Sequence, residues 1–311
     1  MNIEVQEKNG RKYYYLAGNI RYGKGKWKKV RIYLGKGVIK KKQLEELANE
    51  KGKEFIKKLS EARKNTDPLI ALISESHVNE LDKIKKKFKK EKSKLLYPQY
   101  KNYYEHFVSL FTYNTNAIEG STVTLRETAM ILFDKIVPEG KSIKEINEVQ
   151  NHKDAFDFML NYKGDLNKPF ILKAHKILTH NILWKHAGVF RDVQVYVRGA
   201  EFMPATPGNI ESEFKKMMLW YRRNKKKYHA VVVAAHMHHV FESIHPFLDG
   251  NGRTGRLVLN FILRKNGFPM IDIKYADRSK YYAALGEGNK GNLKPLADLI
   301  IKYITEYEVP I

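Results

Sequence analysis

Within twelve consecutive residues, His245-Pro-Phe-Leu-Asp-Gly-Asn-Gly-Arg-Thr-Gly-Arg256, the chain gathers an imidazole, a carboxylate, a glycine-rich turn and two guanidinium groups. Magnesium-assisted chemistry on a nucleoside triphosphate needs that set. His245 is the side-chain type whose ordinary pKa lies nearest neutrality, so it can wait as a proton acceptor. Asp249 offers the hard oxygen that suits a magnesium ion otherwise bound by phosphates and water.

These groups need an element to position them, and the apolar run Leu257-Val-Leu-Asn-Phe-Ile-Leu263 predicts a helix that ends near Asn266-Gly267 and Pro269. Gly250, Asn251 and Gly252 then lie at its N-terminus, where free N–H groups and the positive end of the helix dipole favour an anion. Arg253 and Arg256, three apart, share a face of that helix and can flank one polyphosphate. Taken singly, each position has a plainer reading: a helix cap, a turn, a solvated basic face. Those readings would have to coincide around one helix start.

The string fits the H-x-F-x-D/E-G-N-G-R-x-x-R signature and so resembles the Fic domain, whose members transfer AMP from ATP to protein hydroxyls. The segment Thr115-Asn-Ala-Ile-Glu-Gly120 resembles the family's N-terminal inhibitory motif, with Thr115 and Glu119 one helical turn apart and the helix ending at Gly120. The resemblance implies that Glu119 pairs with Arg256 and holds ATP in an unproductive pose. Gly188-Val-Phe-Arg191, Val193-Gln-Val-Tyr-Val197 and Met203-Pro-Ala-Thr-Pro207 resemble the family's flap, a hairpin whose Val195, Tyr196 and Val197 would align a target segment. Tyr281, Tyr282 and Asn289 match positions that contact adenine and ribose in the family.

The resemblance runs from about Tyr97 to the C-terminus. It implies a protein adenylyltransferase with ATP as substrate, Mg2+ held by Asp249, a protein target modified on Ser, Thr or Tyr, self-modification, and a homodimer as a further partner. Within the same fold, removal of AMP or transfer of the γ-phosphate are alternatives, and outside it stands a basic nucleic-acid-binding regulator with a Fic core.

The expected architecture is mainly α: a Fic helical domain with a β-hairpin flap, preceded by a small β-rich meander and a basic helical linker. Residues 1–36 form the meander, with strands at 4–8, 11–22 and 27–34 around turns at Asn9-Gly10 and residues 23–26. Residues 37–96 form the linker, one helix over 38–64 and a second over 70–96 carrying the basic run at 83–94. Residues 97–311 form the catalytic domain. Thr124-Leu-Arg-Glu127 and Ser142-Ile-Lys-Glu145 read as capping boxes, and further helices fit 170–183, 210–223 and 229–244.

No apolar run approaches the length of about eighteen residues that a membrane helix needs, so no membrane span is expected. The absence of cysteine excludes disulfides and thiolate metal sites and points to a cytoplasmic location. His236, His239 and Glu242 could share a helical face as metal ligands, but no His-Glu-x-x-His pattern accompanies them, and packed helical histidines are the preferred reading. A net charge of +23 raises affinity for polyanions, nucleic acid or an acidic protein among them. Lys83 to Lys94 and the stretch around Trp27 are the candidate surfaces, and DNA contact is expected only from the first third of the chain.

Overall fold

In the computed structural model, which describes residues 2–23, 26–197 and 202–307, the first strands form an antiparallel meander. β1 (Asn2–Lys8) pairs with β2 (Arg11–Gly23), and β2 pairs with β3 (Lys26–Lys36). Asn9 (φ 50°) and Gly10 (φ 69°) make the first turn left-handed, as the Asn-Gly pair predicts. The second turn, residues 24–25, lies outside the described residues.

Alternation along β2 and β3 sends Tyr14, Leu16, Ile20, Val30, Ile32 and Leu34 to one buried face. Two helices close that face, α1 (Lys41–Glu50) with Leu44 and α2 (Gly52–Thr66) with Phe55. The single helix expected over 38–64 is therefore two, broken at Lys51. A short α3 (Pro68–Ala71) follows, started by Asp67, whose side chain accepts from the Leu69 N–H.

The chain divides into two compact units, Met1–Leu72 and Ile73–Ile311. The division falls inside the segment 37–96 that the sequence set apart as a linker, because its first helices are needed to bury the sheet. Its last one belongs to the second unit. That helix, α4 (Glu75–Lys92), starts at Ser74, whose Oγ accepts from the His77 N–H, instead of at residue 70. Phe88 stacks edge-on to Tyr307, and Lys85 lies over the Phe268 ring.

The second unit is helical. It comprises α5 (Tyr97–Ile118), α6 (Leu125–Ala129) running into a π-helical turn, α7 (Ile143–Asn161), α8 (Lys168–Leu178), α9 (Pro207–Asn224), α10 (Ala230–Ile244), α11 (Asn251–Lys265), α12 (Arg278–Asn289) and α13 (Lys294–Thr305). Both capping boxes close as their spacing requires: Thr124 with Glu127, and Ser142 with Glu145. α10 and α11 are buried on nearly every side, so they form the centre on which the other helices pack.

One expected element is absent among the described residues. Residues 193–197 and 202–206 form no strand pair, and the tip of the expected hairpin, 198–201, lies outside the described residues. The two limbs are held by side-chain hydrogen bonds instead of a ladder.

Candidate active site

α10 and α11 meet through the loop 245–250, and its shape follows from the residues in it. His245 closes α10 in a left-handed conformation (φ 49°), its N–H still bonded to the Phe241 carbonyl (2.9 Å), and Pro246 bars another helical turn. Phe247 is fully buried, stacked on His175 at 3.6 Å. Asn251 then clamps it from the start of α11: Oδ1 accepts from the Phe247 N–H (2.9 Å), and Nδ2 donates to the Phe247 carbonyl (2.8 Å).

The Asn251 side chain is engaged inside the loop, and its backbone N–H is the group left toward an anion. Gly250 (φ 75°) gives its own N–H to Asp249 Oδ1 (2.6 Å). The first intrahelical bond is Thr254 N–H to Gly250 carbonyl (3.0 Å), which leaves the N–H groups of Asn251, Gly252 and Arg253 as the open end of α11.

His175 supports the loop from α8 and was not singled out from sequence. Its Nδ1 accepts from the Gly188 N–H (2.8 Å), so the other nitrogen, Nε2, carries the proton it donates to the Asp249 carbonyl (2.9 Å). Burial pushes its pKa down to about 4, which keeps that neutral tautomer in place at neutral pH.

Both signature arginines are buried. Arg253 reaches Glu148 Oε1 at 3.1 Å and Asp249 Oδ1 at 3.6 Å. Arg256 donates from Nε to Thr115 Oγ1 (2.7 Å) and from Nη2 to the Thr115 carbonyl (3.1 Å) and Glu119 Oε1 (2.6 Å). Burial alone would lower the Arg256 pKa; the Glu119 carboxylate, Tyr281 and Glu242 outweigh it and raise it. The end of α5, capped by Glu119 and turned by Gly120 (φ 101°), therefore reaches the start of α11. A Cβ at Gly252 would stand only 2.2 Å from Glu119 Oε1. A side chain there would have to displace the Glu119 carboxylate.

Glu242 lies beneath this pair, with a Cβ at Gly255 coming within 2.3 Å of its Oε1. Burial raises its pKa to about 8; Arg256 pulls it down and Glu119 pushes it up. Its Oε2 is 3.9 Å from His245 Nδ1. Burial lowers the pKa of His245, while the Glu242 carbonyl and the Glu119 carboxylate act in the opposite direction. With Nδ1 turned into the protein, Nε2 is the nitrogen left for substrate.

Arg191, which the sequence placed only within the flap, is buried, and among the described residues its hydrogen bonds go to backbone carbonyls. Its backbone N–H donates to the Pro246 carbonyl (3.0 Å) and its Nε to the His245 carbonyl (2.8 Å). Nη1 reaches the Val193 carbonyl (2.8 Å) and Nη2 the Ala205 carbonyl. One guanidinium thus ties the His245 backbone to both limbs of the flap segment. Within it, Tyr196 is exposed, while Val195 and Val197 are half-buried.

The expected adenine and ribose residues separate. Tyr281 is a core residue, its hydroxyl bonded to His238 Nε2 (2.8 Å) and its ring 5.8 Å from Arg256 Cζ, so it offers no face to a ligand. Tyr282 is exposed, with its hydroxyl 3.4 Å from the Ile118 carbonyl at the end of α5. Asn289 accepts from Ser243 Oγ (3.0 Å) and pairs with His239 Nε2 (3.0 Å). His236 stacks on Trp220 at 3.7 Å, so the α10 histidines serve packing and hydrogen bonding in different directions. No group of three or more His, Asp or Glu is placed to hold a metal among the described residues.

Asp249 offers a half-exposed carboxylate. A single carboxylate completed by phosphate and water suits magnesium brought with a nucleotide better than a metal held by protein alone.

Comparison with known proteins places this geometry. The Fic/DOC family model matches residues 165–263. The chain is 33% identical over 212 residues to the protein adenylyltransferase Fic of Nematostella vectensis, covering 64% of this chain and 46% of that protein. It is 36% identical over 200 residues to the protein adenylyltransferase fic-1 of Caenorhabditis elegans, covering 62% and 39%. The chain thus spans less than half the length of these curated relatives. The solved structure of C. elegans Fic-1 (residues 134–508 of that protein) superposes with a TM-score of 0.67 at 30% identity, over 85% of this chain and 82% of that one. A Fic domain containing signalling protein from Bacteroides thetaiotaomicron shares the fold, with a TM-score of 0.67 at 24% identity over 74% and 94%.

Proposed function

Because this chain belongs to the Fic/DOC family, we propose that it transfers AMP from ATP to a hydroxyl of a protein, and that its site rests in an inhibited state. The observation that carries the reading is the place of Glu119: an internal carboxylate lies on Arg256 and over Gly252, where a helix N-terminus would receive an anionic substrate.

In the active state the phosphates lie on the N–H groups of Asn251, Gly252 and Arg253, with the Arg253 guanidinium beside them. Asp249 would hold magnesium, which supplies charge neutralisation for the polyphosphate. His245 Nε2 takes the proton of the target hydroxyl as its oxygen attacks the α-phosphorus. The bond from that phosphorus to the bridging oxygen breaks, and pyrophosphate leaves with the electron pair. Arg191 holds the His245 backbone and both flap limbs in register, so the hydroxyl and the base arrive together.

In the resting state Glu119 keeps the Arg256 guanidinium from the γ-phosphate. The exposed Tyr196 marks the flap as the place the protein substrate approaches. The test is the intact-protein mass of the Glu119→Gly protein after incubation with ATP and magnesium: a gain of one AMP group that does not form when EDTA is present from the start supports the reading. A gain of phosphate alone contradicts it.

A further inference from the structure

The helices of the first unit bury one face of its three-stranded sheet and leave the other to solvent, and that second face has a composition of its own. Strand alternation and register place Asn19, Lys29, Arg31, Tyr15 and Tyr33 on it, with Trp27 at its end. Trp27 is 58% exposed, Tyr33 43%, and the Lys29 and Arg31 side chains 42% and 39%. Tyr15 and Tyr33 meet edge-on at 5.7 Å on this face, and Tyr33 and Trp27 still present ring surface to solvent. Residues 1–36 carry ten Lys and Arg against two Glu, and both acids are on β1.

We propose that this face binds duplex DNA in the major groove. That groove is about 12 Å wide and admits a two-stranded ribbon, which β2 and β3, spaced about 4.8 Å apart, would supply. Arg31 already presents the required fork: Nε and Nη2 grip the two carboxylate oxygens of Glu4 at 3.2 and 2.8 Å, the two-pronged geometry that reads guanine O6 and N7. Lys29 shares the same carboxylate at 2.6 Å, so Glu4 stands where a base edge or phosphate would compete. Asn19, paired with Lys29 across the strands, has the amide that reads adenine.

The deep, narrow major groove of double-stranded RNA does not admit such a ribbon. The Lys-rich helix α4 is the weaker candidate, since Lys85 lies over Phe268 and Lys92 is placed between the Phe88 and Tyr100 rings.

The test is fluorescence anisotropy of the full chain with a labelled mixed-sequence duplex of about twenty base pairs across a salt series. Lys29→Ala with Arg31→Ala weakens binding at least about tenfold and lowers the salt slope by roughly two, with an unchanged melting temperature. Glu4→Gln, which frees both cations, tightens binding by about two- to fivefold. The charge-matched pair Lys86→Ala and Lys90→Ala on α4 changes it by less than about twofold. The proposal is overturned by equal loss from the α4 pair, by no response to Glu4→Gln, or by equally tight binding of double-stranded RNA or acidic phospholipid vesicles.

Discussion

Arg256 Nη2 and Glu119 Oε1 are 2.6 Å apart, and the same carboxylate oxygen occupies the space above Gly252. One acid therefore neutralises a buried cation and covers the helix end that would receive phosphate. Removing it should act on stability and on binding with opposite signs. Glu119→Gly loses about 1–3 kcal/mol of stability, less than a fully buried pair because Glu119 is one-third exposed and Thr115 still holds Arg256. Affinity for ATP with magnesium rises in the same variant. Urea denaturation and calorimetric titration read the two effects, and a variant that is less stable without binding nucleotide more tightly contradicts the arrangement.

Burial depresses the pKa of His245, so the base is neutral over more of the acid range than a free imidazole. Activity of a Glu119→Gly background should fall as pH drops, with its midpoint below the ordinary 6.5. His245→Ala abolishes transfer and keeps nucleotide binding. An acid limb centred above 6.5 assigns the titration to another group.

Arg191 makes its contacts through three different nitrogens, which a lysine cannot copy. Arg191→Lys should lower kcat on the order of a hundredfold while the affinity for ATP changes little, because the base and flap shift but the helix end does not. Equal losses in kcat and ATP affinity would show that Arg191 serves the phosphate site as well.

Glu242, raised to about 8 by burial, carries a linkage with a definite sign. The folded state keeps a proton that the unfolded chain releases above its ordinary 4.5, so its contribution to stability is complete below about 4.5 and is lost as pH rises toward 8. Glu242→Gln removes that dependence. Its stability relative to the parent should climb by about 1.4 kcal/mol per pH unit between about 5 and 8. Denaturation curves at pH 5.5 and 7.5 decide it; a constant difference sinks the claim.

Much of this was legible because the decisive residues are adjacent in sequence. The path from His245 to Arg256 is local, and turn chemistry, a proline and a following apolar run suffice to place it. The contact from Glu119 to Arg256 spans more than a hundred residues, and only the resemblance of Thr115 to Gly120 to a known motif pointed to it. Glu148, His175 and Arg191 act through tertiary contacts, with no local spacing to mark them, and the helical spacing that drew notice to Glu242 suggested a metal face instead of its place beneath the Glu119–Arg256 pair. The work of the Asn251 side chain was not legible: it is matched to the Phe247 backbone four residues earlier, a clamp that no helix-start pattern announces. The hairpin flap came from the resemblance alone, and no spacing in the sequence announced that three guanidinium bonds from Arg191 would tether its two limbs to the His245 backbone. In the first unit the turns were readable, whereas the sharing of residues 37–96 between two units depends on which apolar face each helix buries.

The central claim is that an AMP transferase site is held closed by Glu119. Its most direct test is to incubate the parent and Glu119→Gly proteins with ATP labelled at either the α- or the γ-phosphate, with magnesium, and measure label retained on protein. The account predicts retention of the α-label alone, raised at least about tenfold in the variant, as release of a 1.4 kcal/mol or larger restraint requires. Retention of the γ-label, or no increase over the parent, would contradict it.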